Sequence, residues 1–250
     1  RFCKRGQYWM CDGKHDVYGF RQRTPGAMAE YMKFPADAIN HKVPRSLSTQ
    51  QAVYIEPLAC SIHAVQRAEI EFGDTVVVAG CGPLGLGMVA AARLKNPGCL
   101  IALDLHPNRL ETARKCGADL VLNPLEVDVV SEVRRLTGGY GCDVYIEATG
   151  HVEAVPQGLR MIRRLGTFVE FSVFTKETTV DWTIIGDTKE LNIHGSHLGP
   201  YCYPLAMEMM RKGQIPAEEI VTHAFPLDQH AEAFQMVIEA KESIKVMLEP

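Results

Sequence analysis

The sequence predicts an α/β protein built on a doubly wound parallel sheet. Three observations point there: short β-branched runs alternate with helical segments from residue 75 to about residue 197, one strand-to-helix turn reads G-x-G-x-x-G, and an acid closes the following strand. Parallel neighbours cannot be joined by a tight turn, so each crossover helix must cover a face of the sheet.

Residues 1–40 are rich in Gly, Pro, aromatic and charged residues and read as irregular coil, with a strand-like stretch at 29–34. "STQQAVYIEPLACSIHAVQRAE" (48–69) carries apolar residues at helical spacing. Pro57 there is expected at a helix start or kink, most naturally the first helical position, which leaves Glu56 at the cap. "TVVVAG" (75–80) is a strand, "LGLGMVAAARLK" (84–95) a helix and "CLIALDL" (99–105) a second strand. "NRLETARKCGA" and "EVDVVSEVRRLTGG" are the next helices, with "DLVLN" as the strand between them. "DVYIEATG", "GLRMIRRLGTFVEFS" and "LNIHGSH" supply strands near Val144, Phe168 and Ile193. After residue 203, "PLAMEMMRKGQI" and "LDQHAEAFQMVIEA" read as amphipathic helices. "SIKVML" is a last strand that must pair outside the simple repeat.

A length of 250 residues accommodates one large domain or up to two, and 46% apolar with 22% charged residues excludes disordered and fibrous classes. The net charge of -4, with no basic run to neutralise a row of phosphates, argues against a nucleic-acid partner. Eight cysteines are too sparse for a stapled scaffold; Cys60, Cys81, Cys99, Cys116, Cys142 and Cys202 sit singly in apolar or glycine-rich segments. A reducing compartment, the cytoplasm, is therefore expected. The longest apolar stretch, 76–92, is interrupted by Gly80, Gly82, Pro83, Gly85 and Gly87, so no membrane span is expected. No targeting segment is visible at the start, although a truncated start could conceal one.

In "VVVAGCGPLG", Gly80 permits the tight turn, Gly82 lets a pyrophosphate approach the backbone, and Gly85 packs helix on strand. Asp104 follows Gly85 by nineteen residues, where an acid hydrogen-bonds the adenosine ribose. The alternative is a structural glycine turn that binds nothing. A carboxylate about 4 Å from a 2′-phosphate is repelled by about 4 kcal/mol at an effective dielectric near 20, so NAD is preferred over NADP. Arg109 either stacks near the adenine or sits on a solvated helix face.

Glu56, Cys60 and His63 are spaced i, i+4, i+7. They read either as three zinc ligands on one helix face or as a capping carboxylate, a packed cysteine and a core histidine. Cys3 and Cys11 form a C-x7-C pair that suits a disulfide, half of a zinc site, or neither.

"PGAMAEYM", "EPLACSIHAVQRA", "GDTVVVAGCGPLGLG", "DLHPNRLETARKCGAD", "DVYIEATG" and "THAFPLDQHAEAFQMV", in this order, make the chain resemble the zinc-dependent medium-chain dehydrogenases, in the sorbitol (polyol) and threonine dehydrogenase branch. The resemblance spans essentially the whole chain. It implies a Rossmann sheet at 67–197, flanked by parts of a GroES-like, mostly β catalytic domain at 1–66 and 198–250. It also implies a structural zinc on a C-x2-C-x2-C-x7-C lobe, whose third and fourth cysteines are matched by Cys3 and Cys11. Glu56 is then a catalytic-zinc ligand, in preference to Cys60, and His63 a packing residue.

On the same resemblance the other ligands precede Arg1: a cysteine immediately before it, another three places earlier, and further upstream the remaining catalytic shell and the proton-relaying hydroxyl. A chain that began at Arg1 is expected to hold no catalytic zinc and to be inactive. Cofactor contacts are implied at Pro83, Leu84, Thr149, Phe171, Ser172, Val173, His197, Leu198 and Gly199, besides Gly80, Gly82, Gly85, Asp104 and Arg109. The implied reaction is hydride transfer between a secondary alcohol of a polyol and NAD, with zinc as Lewis acid, in a homodimer or tetramer. A threonine 3-dehydrogenase, or a module that only binds NAD, are the alternatives.

Overall fold

The computed structural model describes residues 1–11, 26–36 and 38–250. Two short 3-10 turns, Cys3–Arg5 and Tyr8–Met10, lead to the first long helix, α1 (Thr49–Arg67). Ser48 caps it: its hydroxyl accepts from the Gln51 N–H and the Gln51 side chain accepts from the Ser48 N–H, which satisfies two orphan donors reciprocally.

The alternating region contains β1 (Thr75–Ala79), α2 (Pro83–Arg93), β2 (Cys99–Leu103), α3 (Pro107–Lys115), β3 (Leu120–Leu122) and α4 (Val129–Leu136). It continues through β4 (Cys142–Glu147), α5 (Ala154–Met161), β5 (Ile162–Glu170) and β6 (Asn192–Gly195). All six strands are parallel, in the order β3-β2-β1-β4-β5-β6, so the sheet grows one way from β1 through β3 and the other way from β4 through β6. That order makes a crevice at the carboxyl edge beside β1, where ligands of doubly wound sheets bind.

The two faces carry separate cores because strand side chains alternate. Val76, Val78 and Ile146 face α1 and α2, whereas Val77, Ile101 and Tyr145 face α4 and α5. Each central strand is therefore buried on both sides and reads as a continuous apolar run.

The return segment contains α6 (Tyr203–Arg211), α7 (Ala217–Ile220), β7 (Val221–Pro226), α8 (His230–Glu239) and β8 (Lys245–Glu249). The expected last strand, β8, pairs in parallel with β7 and not with the main sheet; β7 itself had no strand reading in the sequence. No helix of the described residues is long and apolar enough to cross a membrane.

Two expectations are corrected. The stretch 29–34 forms bends and coil, with Tyr31 90% exposed, because no described strand lies beside it to complete a ladder. Pro57 does not start a helix but lies inside α1, with Glu56 one turn before Cys60 on the same face. The Ser48 capping box nucleates the helix eight residues earlier, and the carbonyl that Pro57 leaves without a donor belongs to Val53, an exposed residue.

Candidate functional site

The turn between β1 and α2 is held from three sides. A Cβ on Gly80, whose φ is +95°, would lie 2.6 Å from the Ala148 carbonyl, and a Cβ on Gly85 would lie 1.8 Å from the Gly80 carbonyl. A Cβ on Gly82 would meet nothing within 4 Å. Gly80 and Gly85 thus serve packing, while Gly82 keeps an open face in front of the helix. From α1, the Tyr54 hydroxyl donates to the Pro83 carbonyl at 2.6 Å and the Ser61 hydroxyl to the Leu84 carbonyl at 2.8 Å. These bonds fix the N-terminus of α2, whose free N–H groups and dipole favour an anion.

Asp104 stands beside this turn. One carboxylate oxygen accepts from the Cys81 N–H at 2.7 Å and the other from the His106 N–H at 2.8 Å, so β2, the glycine turn and the start of α3 are tied to one acid. Each oxygen retains a lone pair for a ribose hydroxyl. Arg109 is half-buried, and its Nε is buried without a hydrogen-bond partner, which removes the purely solvated reading and leaves an unused donor near the turn. The open cradle at Gly82, the doubly anchored acid and the orphan donor fit an adenine dinucleotide.

Further along the carboxyl edge, Phe171, Ser172 and His197 line one cavity of about 450 Å³, together with Trp9, His63 and Glu170. Val173 is 91% exposed, and its carbonyl lies 3.1 Å from where a Cβ on Gly150 would sit, so the loops after β4 and β5 touch. Leu198 has a positive φ of 56°, and Gly199 is pressed against the α1 backbone, where a Cβ would lie 2.4 Å from Ala59. The loop after β6 is therefore clamped onto α1. Thr149 donates through its N–H and its hydroxyl to Glu147, which orients the loop after β4.

Glu56 is exposed on α1, and the Cys60 thiol donates to its Oε1 at 3.1 Å. Burial, together with the charge of Glu56, pushes the Cys60 thiol well up, so it stays protonated at neutral pH. His63 stacks edge-on against Trp9, with ring centroids 6.2 Å apart, and burial lowers its pKa. Among the described residues no three His, Cys, Asp or Glu side chains converge on a point that could hold a metal ion. Cys3 is exposed and Cys11 half-buried, each in or beside a short 3-10 turn. Glu56 offers an exposed carboxylate of the right chemistry for a zinc ligand.

The sequence reading missed two acids. Glu147 ends β4 and Glu170 ends β5, directly opposite each other in register. Glu147 is fully buried; burial and the Glu147 charge push the Glu170 carboxyl up to about 7. The signal was present, since "DVYIE" and "GTFVE" are apolar runs that each close on a glutamate.

The chain matches the zinc-binding dehydrogenase family over residues 83–212. It is 57% identical over 249 residues to an erythritol/L-threitol dehydrogenase of Mycolicibacterium smegmatis, covering 100% of this chain and 68% of that protein. It is 34% identical over 239 residues to an L-threonine 3-dehydrogenase of Pyrococcus horikoshii, covering 94% of this chain and 67% of that one. Among solved structures, a short chain alcohol dehydrogenase of Escherichia coli CFT073 complexed with NADH superposes with a TM-score of 0.87 at 26% identity, over 98% of this chain and 71% of that one.

Proposed function

This chain belongs to the zinc-binding dehydrogenase family, and from that premise we propose that it oxidises a secondary alcohol of a small polyol, passing hydride to NAD. The observation that carries the cofactor half is the open face at Gly82, beside the doubly anchored Asp104, at the crevice of the sheet. The polyol half rests on the 57% identity to the erythritol/L-threitol enzyme, against 34% to the threonine enzyme.

In this reading the α2 N-terminus, through Gly82, Pro83 and Leu84, receives the pyrophosphate, and Asp104 accepts from the adenosine ribose hydroxyls. Arg109 turns its unused Nε toward the adenosine end. Thr149, Phe171, Ser172, Val173 and the His197–Leu198–Gly199 loop hold the nicotinamide end, and the clamped backbone of that loop fixes the ring's position. Glu56 would be one of the ligands of a zinc ion, which when bound would supply Lewis acidity toward the alcohol hydroxyl, while NAD would be the hydride acceptor. Cys60 donates to Glu56 and orients it, while its own thiol stays neutral.

Cys3 and Cys11 belong to a structural zinc lobe, residues 67–197 to the cofactor domain, and 1–66 and 198–250 to the catalytic domain. We further place the protein in the cytoplasm as a homo-oligomer.

Turnover with NAD, measured on the zinc-loaded protein for erythritol, L-threitol, sorbitol and L-threonine, tests the function. The four-carbon polyols are expected to give kcat/KM at least about tenfold above threonine, a difference of about 1.4 kcal/mol in transition-state binding. A preference for threonine would reverse the substrate assignment, and inertness toward every secondary alcohol would sink the reading.

A further inference from the structure

We propose that Glu170, paired with Glu147 across β4 and β5, is the residue through which this site distinguishes oxidised from reduced nicotinamide, by carrying a proton when the ring is neutral and losing it when the ring is cationic. The inference rests on the reading above that the cavity at the carboxyl edge takes the nicotinamide end of NAD.

The geometry comes first. Glu147 and Glu170 are Cα partners at the ends of adjacent parallel strands, so their side chains leave the same face of the sheet side by side. Glu147 is 0% exposed. Its Oε1 takes the Thr149 N–H, the Thr149 hydroxyl and the Gly150 N–H, whereas its Oε2 is buried with no partner. Three donors thus converge on one oxygen of Glu147 and fix where its side chain sits. Glu170 feels the neighbouring Glu147 charge and lines the cavity. Two carboxylates this close do not both ionise readily, and with the backbone and hydroxyl donors gathered on Glu147 the proton falls to Glu170. The elevation of Glu170 to about 7 agrees with that arrangement.

Oxidised nicotinamide is a cation and the reduced ring is neutral. A cation in the cavity favours ionised Glu170, so NAD⁺ binding expels the proton, whereas NADH leaves it in place. As pH rises through about 7, free Glu170 ionises and NAD⁺ binds more tightly, while NADH gains nothing. Other charged groups face the same space. His63 and Arg67 project from α1 and His197 from the loop after β6, while Tyr145 lies on β4 beneath the pair. A positive charge on either histidine would also repel NAD⁺, in the same direction, so the test must isolate the carboxyl pair.

The dissociation constants of NAD⁺ and NADH are to be measured from pH 6 to pH 8 on the full chain, on Glu170→Gln and on Glu147→Gln. In the native protein the ratio of the NAD⁺ constant to the NADH constant is expected to fall about tenfold over this range, the equivalent of about 1.4 kcal/mol of charge coupling. In Glu170→Gln the ratio stays level. In Glu147→Gln the midpoint moves to lower pH, because the neighbouring charge is gone; a profile set by the histidines would not move. A Glu170→Gln profile as steep as the native one, or an unmoved midpoint in Glu147→Gln, overturns the proposal.

A native-only measurement guards against misfolded variants. Calorimetric titration at pH 7 in buffers of different ionisation enthalpy should show about half a proton released per NAD⁺ bound and none per NADH. Equal release with both forms also overturns it. If neither form of the cofactor binds, the cofactor reading itself fails, and this inference with it.

Discussion

At the residue scale, the three motif glycines do different work, and single methyl groups separate them. Gly85→Ala places a carbon 1.8 Å from a backbone carbonyl that cannot move aside, so it is expected to destabilise the protein by about 3 kcal/mol, read from denaturant unfolding. Gly82→Ala meets open space at a φ of -67°, which alanine adopts freely, so stability should change by less than about 0.5 kcal/mol. Its NAD affinity should nevertheless fall at least about tenfold, because the methyl group occupies the space into which the pyrophosphate comes. Equal losses of stability in both variants would show that Gly82 is structural. Asp104→Ser removes the charge that opposes a 2′-phosphate and breaks the anchor to the Cys81 N–H. The expected outcome is a rise of at least about tenfold in NADP affinity relative to NAD, with about 1.5 kcal/mol of stability lost. An unchanged cofactor ratio would place Asp104 away from the ribose.

At the scale of elements, α1 is the strut between the N-terminal segment and the sheet. Its Tyr54 and Ser61 hydroxyls fix the start of α2, its Ala59–Cys60 backbone clamps the loop after β6, and its Glu56 faces outward on the same helix. The helix depends on its cap, since Pro57 removes an internal hydrogen bond halfway along. Ser48→Ala should cost about 1 kcal/mol in thermal or denaturant unfolding, and it should weaken NAD binding if fraying reaches Tyr54. The sequence contained both signals, the Ser-x-x-Gln box and the proline, and propensity favours the proline as a helix start. The structure reverses that ranking because a reciprocal cap eight residues earlier satisfies more backbone donors than a proline start can. The same scale explains the failed strand at 29–34: alternation describes a chain that can pair, and pairing needs a neighbour which local sequence does not name.

At the scale of the whole molecule, β6 is an edge strand of the main sheet, with Ile193 43% exposed. An exposed apolar edge is a template for pairing with a second copy. If the proposed homo-oligomer forms through this edge, Ile193→Lys is expected to lower the sedimentation coefficient to that of a monomer, and an unchanged coefficient would exclude β6 as a subunit contact. The doubly wound order, the glycine turn and the acid after β2 were all legible in the sequence, because each depends on residues close together in the chain and on the periodicity of strand and helix. Only the tertiary structure decided that Glu56 and Cys60 share a face, that β8 pairs with β7, and that Glu147 meets Glu170. Those facts depend on the register between strands and on where α1 begins. A glutamate at residue 147 and another at residue 170 are ordinary strand ends until a parallel ladder sets them side by side in a buried place, where one charge alters the other.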